Sequence, residues 1–215
     1  MRTRAKNGLQ AVALNYGLAR RRQLWTVAGL TQLRQLPVRE GMGRRRADLL
    51  PLVEPLDRWI AELDRRWEQE AASRPPVQRL LSHPGVGVLT ALVPPCGMRG
   101  PVNRFAEAKK VTSYIGLIPR EHSSGGQQRF GKRSKQGNPL LRFLLIEEAQ
   151  SAAQHDPQLR RVYRRLTVRH GFQKAQAAVA RKLLIRLYVM LRDGIDYGEF
   201  CRRGSQVGML GGHVV

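Results

Sequence analysis

The chain has 215 residues, 42% of them hydrophobic, which suffices for one compact core with an appendage or for two small domains. Its 38 Lys and Arg residues face only 16 Asp and Glu residues, and the formal net charge of +22 favours a polyanionic partner, usually nucleic acid. A genome-wide preference for arginine would give a similar composition without any ligand. Two cysteines, Cys96 and Cys201, are too few for a disulfide framework and lack zinc spacing.

No segment approaches the roughly 18 apolar residues that a membrane span requires. The N-terminus is basic but lacks the apolar run of a signal peptide. We therefore expect a soluble protein of the cytoplasm that is associated with the nucleoid and makes no contact with membranes.

Residues 1–74 predict a helical arm. Two short helices are expected before Pro37, and Gly41 and Gly43 predict a break after them. From Asp48 onward, apolar residues recur every three or four positions, which is the pattern of an amphipathic helix. These residues are Leu49, Leu52, Val53, Leu56, Trp59, Ile60, Leu63 and Trp67.

Two prolines, Pro51 and Pro55, are expected to delay or kink the start of this helix. Its apolar face has two interpretations that the sequence leaves open. It packs inside the chain, or it forms a coiled-coil arm that pairs with a second copy of the protein.

Residues 75–200 predict a compact helical domain, so the fold class is mostly α, with little strand signal. Its first stretch, LLSHPGVGVLTALV, reads as helix, glycine turn and helix, as in a helix-hairpin-helix motif. In that motif Gly85 and Gly87 would bring backbone N–H groups to a phosphate. A plain tight turn between two packed helices explains the same pattern.

Three further helices are predicted from their end signals. Asn138-Pro139 opens one, Asp156-Pro157 opens the next, and Asp193-Gly194 ends the last. The helix after Asp156 has a wide basic face, interpreted as either a ligand surface or an ordinary solvated one: Arg160, Arg161, Arg164, Arg165 and Arg169. Residues 201–215 are rich in glycine and are expected to be a disordered tail.

The segment from Pro119 to Arg142 is the strongest candidate site. Ser123 and Ser124 precede the flexible pair Gly125-Gly126. Cations surround the two hydroxyls, and Asn138 opens a helix whose N–H groups favour an anion. The proposed nucleic-acid contacts here are Arg120, Arg129, Lys132, Arg133, Lys135, Asn138 and Arg142.

Three other chemistries fit this chain poorly. The stretch from Gly126 to Lys132 matches a phosphate-binding G-x-x-x-x-G-K loop, but Arg133 stands where Ser or Thr must hold magnesium. The acidic residues are scattered and better explained as caps and surface charges than as metal ligands. His122 beside Ser123 lacks an orienting third group, as a hydrolase triad requires. A serine that attacks a phosphodiester among clustered guanidinium groups remains, beside a non-catalytic phosphate clamp.

Four stretches resemble one known family in order and in kind. They are LLSHPGVGVLTA, RFAEAKKVTSYIGLIPREHSSGG, RFGKRSKQGNPLLRFLLIEEA and AVARKLLIRLYVML. From about Val77 to Phe200 they resemble the C-terminal serine domain of the insertion-sequence one-ten family of transposases, understood as bridge-RNA-guided recombinases. Residues 1–74 resemble, more loosely, the coiled-coil linker before that domain.

The resemblance implies that Ser124 is the nucleophile that becomes linked to DNA, with the neighbouring Ser123 as the alternative. It implies DNA as substrate, a guide RNA, and homo-oligomers assembled through the arm. Family members also carry an N-terminal RuvC-like domain whose four acidic residues bind magnesium. No counterpart stands in this sequence, so we expect a truncated transposase with no cofactor of its own, needing Mg²⁺ only with the acidic domain. The alternative is a non-catalytic nucleic-acid-binding module.

Overall fold

The computed structural model describes residues 1–18, 23–97, 105–121, 130–134 and 136–209. Within these ranges the chain forms ten α-helices, one short 3-10 helix and a single two-stranded sheet. The prediction of a mostly α fold is confirmed. Across the same ranges, every helix is too short or too polar to cross a membrane. The chain divides into two compact units, Met1–Arg66 and Trp67–Val215.

The first unit is built from two helices and the part of a third that ends at Arg66. They are α1 (Arg2–Asn15), α2 (Val27–Gln35) and α3 (Glu40–Ala72), with the 3-10 helix Gln23–Trp25 before α2. Their shared core consists of Ala5, Leu9, Ala13, Leu24, Leu33 and Val53. Asp57 of α3 accepts hydrogen bonds from Lys6 Nζ at 2.8 Å and Arg2 Nη1 at 3.3 Å, so charge as well as apolar contact joins α1 to α3.

The predicted break at Gly41 and Gly43 is wrong, because both glycines lie in the first turns of α3. A glycine costs a helix only about 1 kcal/mol, and tertiary contacts outweigh that cost here. Arg46 donates to the Leu33 and Leu36 carbonyls at 3.0 and 2.6 Å, which ties the start of α3 to the end of α2.

The two prolines of α3 do not delay its start either. Pro51 and Pro55 lie inside the helix, which begins eleven residues before the first of them. Each proline removes one backbone hydrogen bond from the helix. The buried Val53 between them packs against the core of the first unit, and this packing favours continued helix.

The second unit contains the remaining elements around one long central helix. They are α4 (Pro75–Leu81), α5 (Val88–Gly97), α6 (Ala108–Ile115), β1 (Pro119–Glu121), β2 (Phe130–Arg133), α7 (Pro139–His155), α8 (Pro157–His170), α9 (Phe172–Asp193) and α10 (Tyr197–Met209). Helix α9 contacts α4, α6, α7, α8 and α10. Its Leu183, Leu184, Leu187 and Tyr188 are fully buried, so α9 is the centre of the core.

The predicted helix signals hold in this unit. The Asn138 side chain accepts from the N–H groups of Leu140 and Leu141, and the Asp156 side chain accepts from Leu159 N–H at 2.8 Å. Gly194 ends α9 in the left-handed conformation with φ of 66°. These local signals place helix ends correctly because each is satisfied by atoms within a few residues.

Two differences from the sequence prediction concern the segments after α6 and α9. A short antiparallel hairpin stands in a domain whose sequence has little strand signal. Residues 201–209 continue α10 rather than begin a disordered tail, since Glu199 forms ion pairs with Arg202 and Arg203 one helical turn later. Residues 210–215 lie outside the described ranges.

Candidate nucleic-acid site

The candidate serine segment is framed by the hairpin. Strand β1 pairs with β2 antiparallel, with Pro119 opposite Arg133 and Glu121 opposite Phe130, and an irregularity separates the two pairs. The serines themselves, together with Arg129 and Lys135, lie outside the described residues. Lys132 and Arg133 lie in strand β2.

Backbone and side-chain hydrogen bonds hold the base of the hairpin together. Ser134 N–H donates to the Ile118 carbonyl at 2.9 Å, and the Arg120 guanidinium donates to the Ser134 carbonyl at 3.3 Å. Ser134 is buried, and its hydroxyl has no hydrogen-bond partner among the described residues. Arg120 itself is exposed, so it reaches solvent at the edge of the sheet.

The chain that leaves β2 is fastened to the end of α6. Arg142 Nη1 donates to the carbonyls of Ile115 and Gln136, both at 2.9 Å. Gly137 has φ of +78°, and a Cβ there would stand 1.8 Å from the Tyr114 carbonyl oxygen. Only glycine fits this close approach. The hairpin is therefore held to the helical core at its base.

These contacts bear on two of the proposed phosphate contacts. Arg142 already binds two carbonyls, and the Asn138 side chain already accepts from two of the N–H groups that were expected to attract an anion. Both residues thus have a structural role. Their role in binding a phosphate stays a prediction.

In the turn between α4 and α5, both glycines lie against α7. Gly85 has φ of +81°, and a Cβ there would come within 2.7 Å of the Ala152 backbone on α7. Gly87 N–H donates to Glu148 Oε1 at 3.1 Å, and the buried Thr90 hydroxyl donates to the same oxygen at 3.2 Å. A phosphate at Gly87 would have to displace a carboxylate, so the tight-turn interpretation accounts for the contacts seen. The helix-hairpin-helix interpretation stays a prediction.

A buried polar network that sequence reasoning missed lies beside this turn. The Asp156 carboxylate, fully buried, caps α8 with one oxygen. Its other oxygen accepts from the Arg186 guanidinium of α9 and from the Tyr197 hydroxyl of α10. The ring of His83, 1% exposed, packs on the Tyr197 ring with centroids 4.5 Å apart. Only the capping role of Asp156 was readable from the sequence, since the partners lie 30 and 41 residues away.

The network holds its histidine neutral. Burial lowers the pKa of His83 to about 4, against a weaker opposing effect of its hydrogen bond to the Pro84 carbonyl. That 3.0 Å contact requires a proton on Nδ1 and leaves Nε2 facing Asp156 Oδ2 at 4.0 Å. A charged His83–Asp156 pair would be disfavoured, because Arg186 already neutralises the carboxylate.

The pKa of Asp156 lies below its ordinary value although burial alone would raise it. The hydrogen bonds from Tyr197 and from Leu159 N–H, with the Arg186 charge, outweigh the burial. Conversely, burial and the hydrogen bond to Asp156 raise the pKa of Tyr197. The network is a charged pair with neutral neighbours, and it joins the turn before α5 to α8, α9 and α10.

The basic face of α8 is exposed, as the sequence allowed. Five arginines of this helix have exposed side chains: Arg160, Arg161, Arg164, Arg165 and Arg169. Arg160 donates to the carbonyls of Ala153 and Gln154, whereas the other four form no ion pair with any described acidic residue. Val168 lies among them and is 88% exposed.

Metal-ligating side chains do not gather at any of these places. In the described ranges, three or more His, Cys, Asp or Glu residues nowhere converge as a metal site would require.

Comparison with known proteins finds transposases that are similar to part of the second unit. Residues 77–164 match the family described as Transposase IS116/IS110/IS902 family. A probable family 20 transposase of Pseudomonas aeruginosa is 34% identical over 115 residues, 54% of this chain and 34% of that protein. The IS1111A transposase of Coxiella burnetii is 36% identical over 99 residues, 46% of this chain and 27% of that protein.

A third relative extends the similarity over nearly the whole chain. The IS1328 transposase of Yersinia enterocolitica is 26% identical over 206 residues, 92% of this chain and 60% of that protein. The chain thus spans between about a quarter and 60% of the length of these three relatives. The resemblance to insertion-sequence transposases is supported at this level: residues 77–164 match the model of the IS116/IS110/IS902 transposase family, and the relatives that align with the chain are named transposases.

Proposed function

We propose that this chain is the part of a transposase that binds DNA and supplies the serine nucleophile for strand cleavage and transfer. The observation that carries the proposal is the family match over residues 77–164, which includes the segment with Ser123 and Ser124. The anchored hairpin supports it, because a nucleophile must be presented from a base that does not shift during the reaction.

The reaction proposed for the serine is a transfer between two oxygen atoms. The Ser124 Oγ attacks a DNA phosphorus, one P–O bond of the backbone breaks, and the released deoxyribose oxygen takes the proton. The product is a covalent serine–DNA ester that a second DNA hydroxyl can resolve. Cations of the same segment would stabilise the charge that develops on the phosphate oxygens.

The complete reaction needs partners beyond this chain. In this proposal, magnesium belongs to the acidic RuvC-like domain, as the resemblance to the family implies. A guide RNA is a further proposed partner, and the net charge of +22 suits either nucleic acid.

The test for the nucleophile is a covalent adduct. The chain is mixed with end-labelled DNA, guide RNA, Mg²⁺ and the acidic domain of a family member, and the products are separated on a denaturing gel. We expect an adduct that Ser124→Ala abolishes and that Ser123→Ala, the matched control, retains. The reverse pattern would move the role to Ser123, and an adduct in both variants would overturn a serine nucleophile.

The second candidate is a nucleic-acid-binding module without catalysis. The exposed arginines of α8 favour it, because phosphate binding needs no nucleophile. Binding measured against salt should show affinity falling steeply, with a slope of roughly −0.9 per phosphate contacted. Steep salt dependence without any adduct would select this module, and a flat response would overturn both candidates.

The helical arm is proposed to pair two copies of the chain. Leu52, Trp59 and Leu63 of α3 are exposed by 40%, 60% and 42%, and Leu56 is half-buried between them. Their spacing of four, three and four residues is that of a coiled-coil seam. Sedimentation should therefore show a dimer that Trp59→Gln with Leu63→Gln dissociates. Leu14→Gln, at an exposed leucine outside the stripe, should leave the dimer intact.

A further inference from the structure

The acid-free stretch of the second unit divides its positive charges equally between α8 and α9, and all five on α8 have exposed side chains. Between Asp156 and Asp193 the sequence has no acidic residue and ten Lys or Arg residues. Helix α9 buries much of its surface in the core, whereas α8 buries only Leu159 fully. The outer face of α8 is therefore a large exposed positive surface of this unit.

The arrangement on α8 is regular. At about 100° per residue, Arg161 and Val168 share the centre of the exposed face, within about 20° of each other. Arg164 lies on one side of this centre, and Arg165 and Arg169 lie on the other, so that the five residues cover an arc of about 140°. The opposite side of the helix contains Leu159, Tyr163 and Leu166, all buried or half-buried.

We propose that this outer face of α8, defined by Arg161, Arg164, Arg165, Val168 and Arg169, binds duplex DNA in the major groove. The inference rests on the proposed function and adds a second contact surface to it, away from the serine segment in sequence. Arginines on both flanks would pair with phosphates of the two strands. Arg161 and Val168 at the centre would face the base edges.

The dimensions favour B-form DNA. Arg161 and Arg169 are eight residues apart, about 12 Å along the helix axis, and an α-helix with its side chains is about 10–12 Å across. The major groove of B-form DNA is about 12 Å wide and admits an α-helix. The major groove of an A-form RNA duplex is deep and narrow and does not admit one. An exposed valine at the centre of a charged face also suits a groove that presents thymine methyl groups.

Charge complementarity argues for this ligand over a protein or a small anion. The four arginines of the face lack any described acidic partner, whereas exposed arginines elsewhere in the chain do pair with glutamates, as in Arg44–Glu40 and Arg66–Glu62. Four guanidinium groups without acidic partners lie along about 12 Å of the helix. They match a DNA strand, which carries one phosphate charge about every 3.4 Å. An acidic cluster on a partner protein would not need the central valine.

The test compares two variants that each remove three positive charges. The first is Arg161→Gln/Arg164→Gln/Arg165→Gln, on the outer face of α8. The matched control is Arg44→Gln/Arg66→Gln/Arg74→Gln, three arginines that are each paired with a glutamate four residues earlier. Binding to a 20-base-pair DNA duplex is measured at several salt concentrations, alongside unfolding curves of each variant.

We expect the α8 variant to lose on the order of a hundredfold in affinity at 0.15 M salt, about fivefold per lost phosphate contact, with a shallower salt slope. The control should lose less than about threefold, because its arginines are internally neutralised. Equal losses in both variants, or none in the α8 variant, would overturn the α8 surface while leaving the serine adduct test unaffected.

A second arm separates DNA from RNA and guards against misfolding. The α8 variant should lose affinity for the DNA duplex but change little toward an A-form RNA duplex of the same sequence. Val168→Glu, which adds one negative charge at the centre, should weaken DNA binding more than Arg169→Gln, which removes one positive charge at the edge. Equal losses for RNA, or a weaker effect of Val168→Glu, would overturn the major-groove assignment.

Discussion

Helix α8 has charged residues at its N-terminus and on its outer face. The charge at the N-terminus is buried, and the charges on the outer face are exposed to solvent. At the N-terminus, the charge of the buried Asp156 is neutralised by Arg186, and two uncharged donors supply further hydrogen bonds. On the outer face, four arginines stand in solvent without a described acidic partner. One set of charges is satisfied inside the protein, and the other is available to a ligand.

The difference teaches where stability and binding reside in this unit. A buried ion pair adds little stability compared with apolar residues of the same size. Removing one partner is costly, however, because it leaves the other charge buried without a counter-charge or water. Exposed arginines contribute almost nothing to folding and weaken it slightly through mutual repulsion. We therefore expect substitutions at the buried N-terminus of α8 to lower the stability of the fold, and substitutions on its outer face to leave the stability nearly unchanged.

The largest expected effect is at the buried end. Asp156→Asn should lower the free energy of unfolding by about 3–5 kcal/mol, because Arg186 and Tyr197 would lose the carboxylate that satisfies them. Urea unfolding followed by far-UV circular dichroism measures the change. Asp64→Asn, at an exposed carboxylate of α3, is the control and should stay within about 0.5 kcal/mol. A similar small loss in Asp156→Asn would contradict the central role of the network.

The pH dependence of stability tests the neutral histidine of the same network. The unfolded chain takes up a proton on His83 near pH 6.5, whereas the folded chain resists it until about pH 4. Stability should therefore fall as the pH drops through this window, by up to about 3 kcal/mol, and should be fully present above pH 6.5. His83→Gln should remove this part of the dependence in urea unfolding between pH 7 and 4.5. An unchanged difference between the two pH values would show that His83 is not buried as described.

Two glycines with nearly equal φ allow the cost of backbone strain to be measured apart from the cost of a steric clash. Gly85 and Gly171 have φ of +81° and +80°, but a Cβ meets the α7 backbone at Gly85 and open space at Gly171. Gly171→Ala should cost about 1–2 kcal/mol through strain alone. Gly85→Ala should cost about 2 kcal/mol more, because the turn must move away from α7. Equal costs, measured by thermal unfolding, would mean that the turn before α5 is not packed as described.

The smallest expected effect is on the outer face. Arg164→Gln with Arg165→Gln should change the free energy of unfolding by less than about 0.5 kcal/mol, and in the stabilising direction at low salt, because it relieves repulsion. Chemical unfolding at low and high salt checks both the size and the sign. A loss comparable to that of Asp156→Asn would place these arginines in the fold and weaken their assignment to a ligand.

Local signals were sufficient for much of the fold. Asn138, Asp156 and Gly194 mark helix ends correctly, since a cap is satisfied by backbone atoms close in sequence. The exposed arginines of α8 were also readable, because a helix whose apolar residues occupy one side must present the others to solvent. The two glycines at the start of α3 misled the prediction, since a propensity of about 1 kcal/mol yields to tertiary contacts such as those of Arg46.

By itself, then, the sequence determined the helical class, the positive charge and the similarity of residues 77–164 to a family of transposases. Only the tertiary structure decided that Gly87 binds a glutamate, that Arg142 holds the hairpin, and that Asp156 is the centre of a buried network. These contacts join residues 27 to 61 positions apart, and no local pattern encodes which distant partner a polar group will meet. Burial makes such a pairing obligatory, and the fold alone selects the partner.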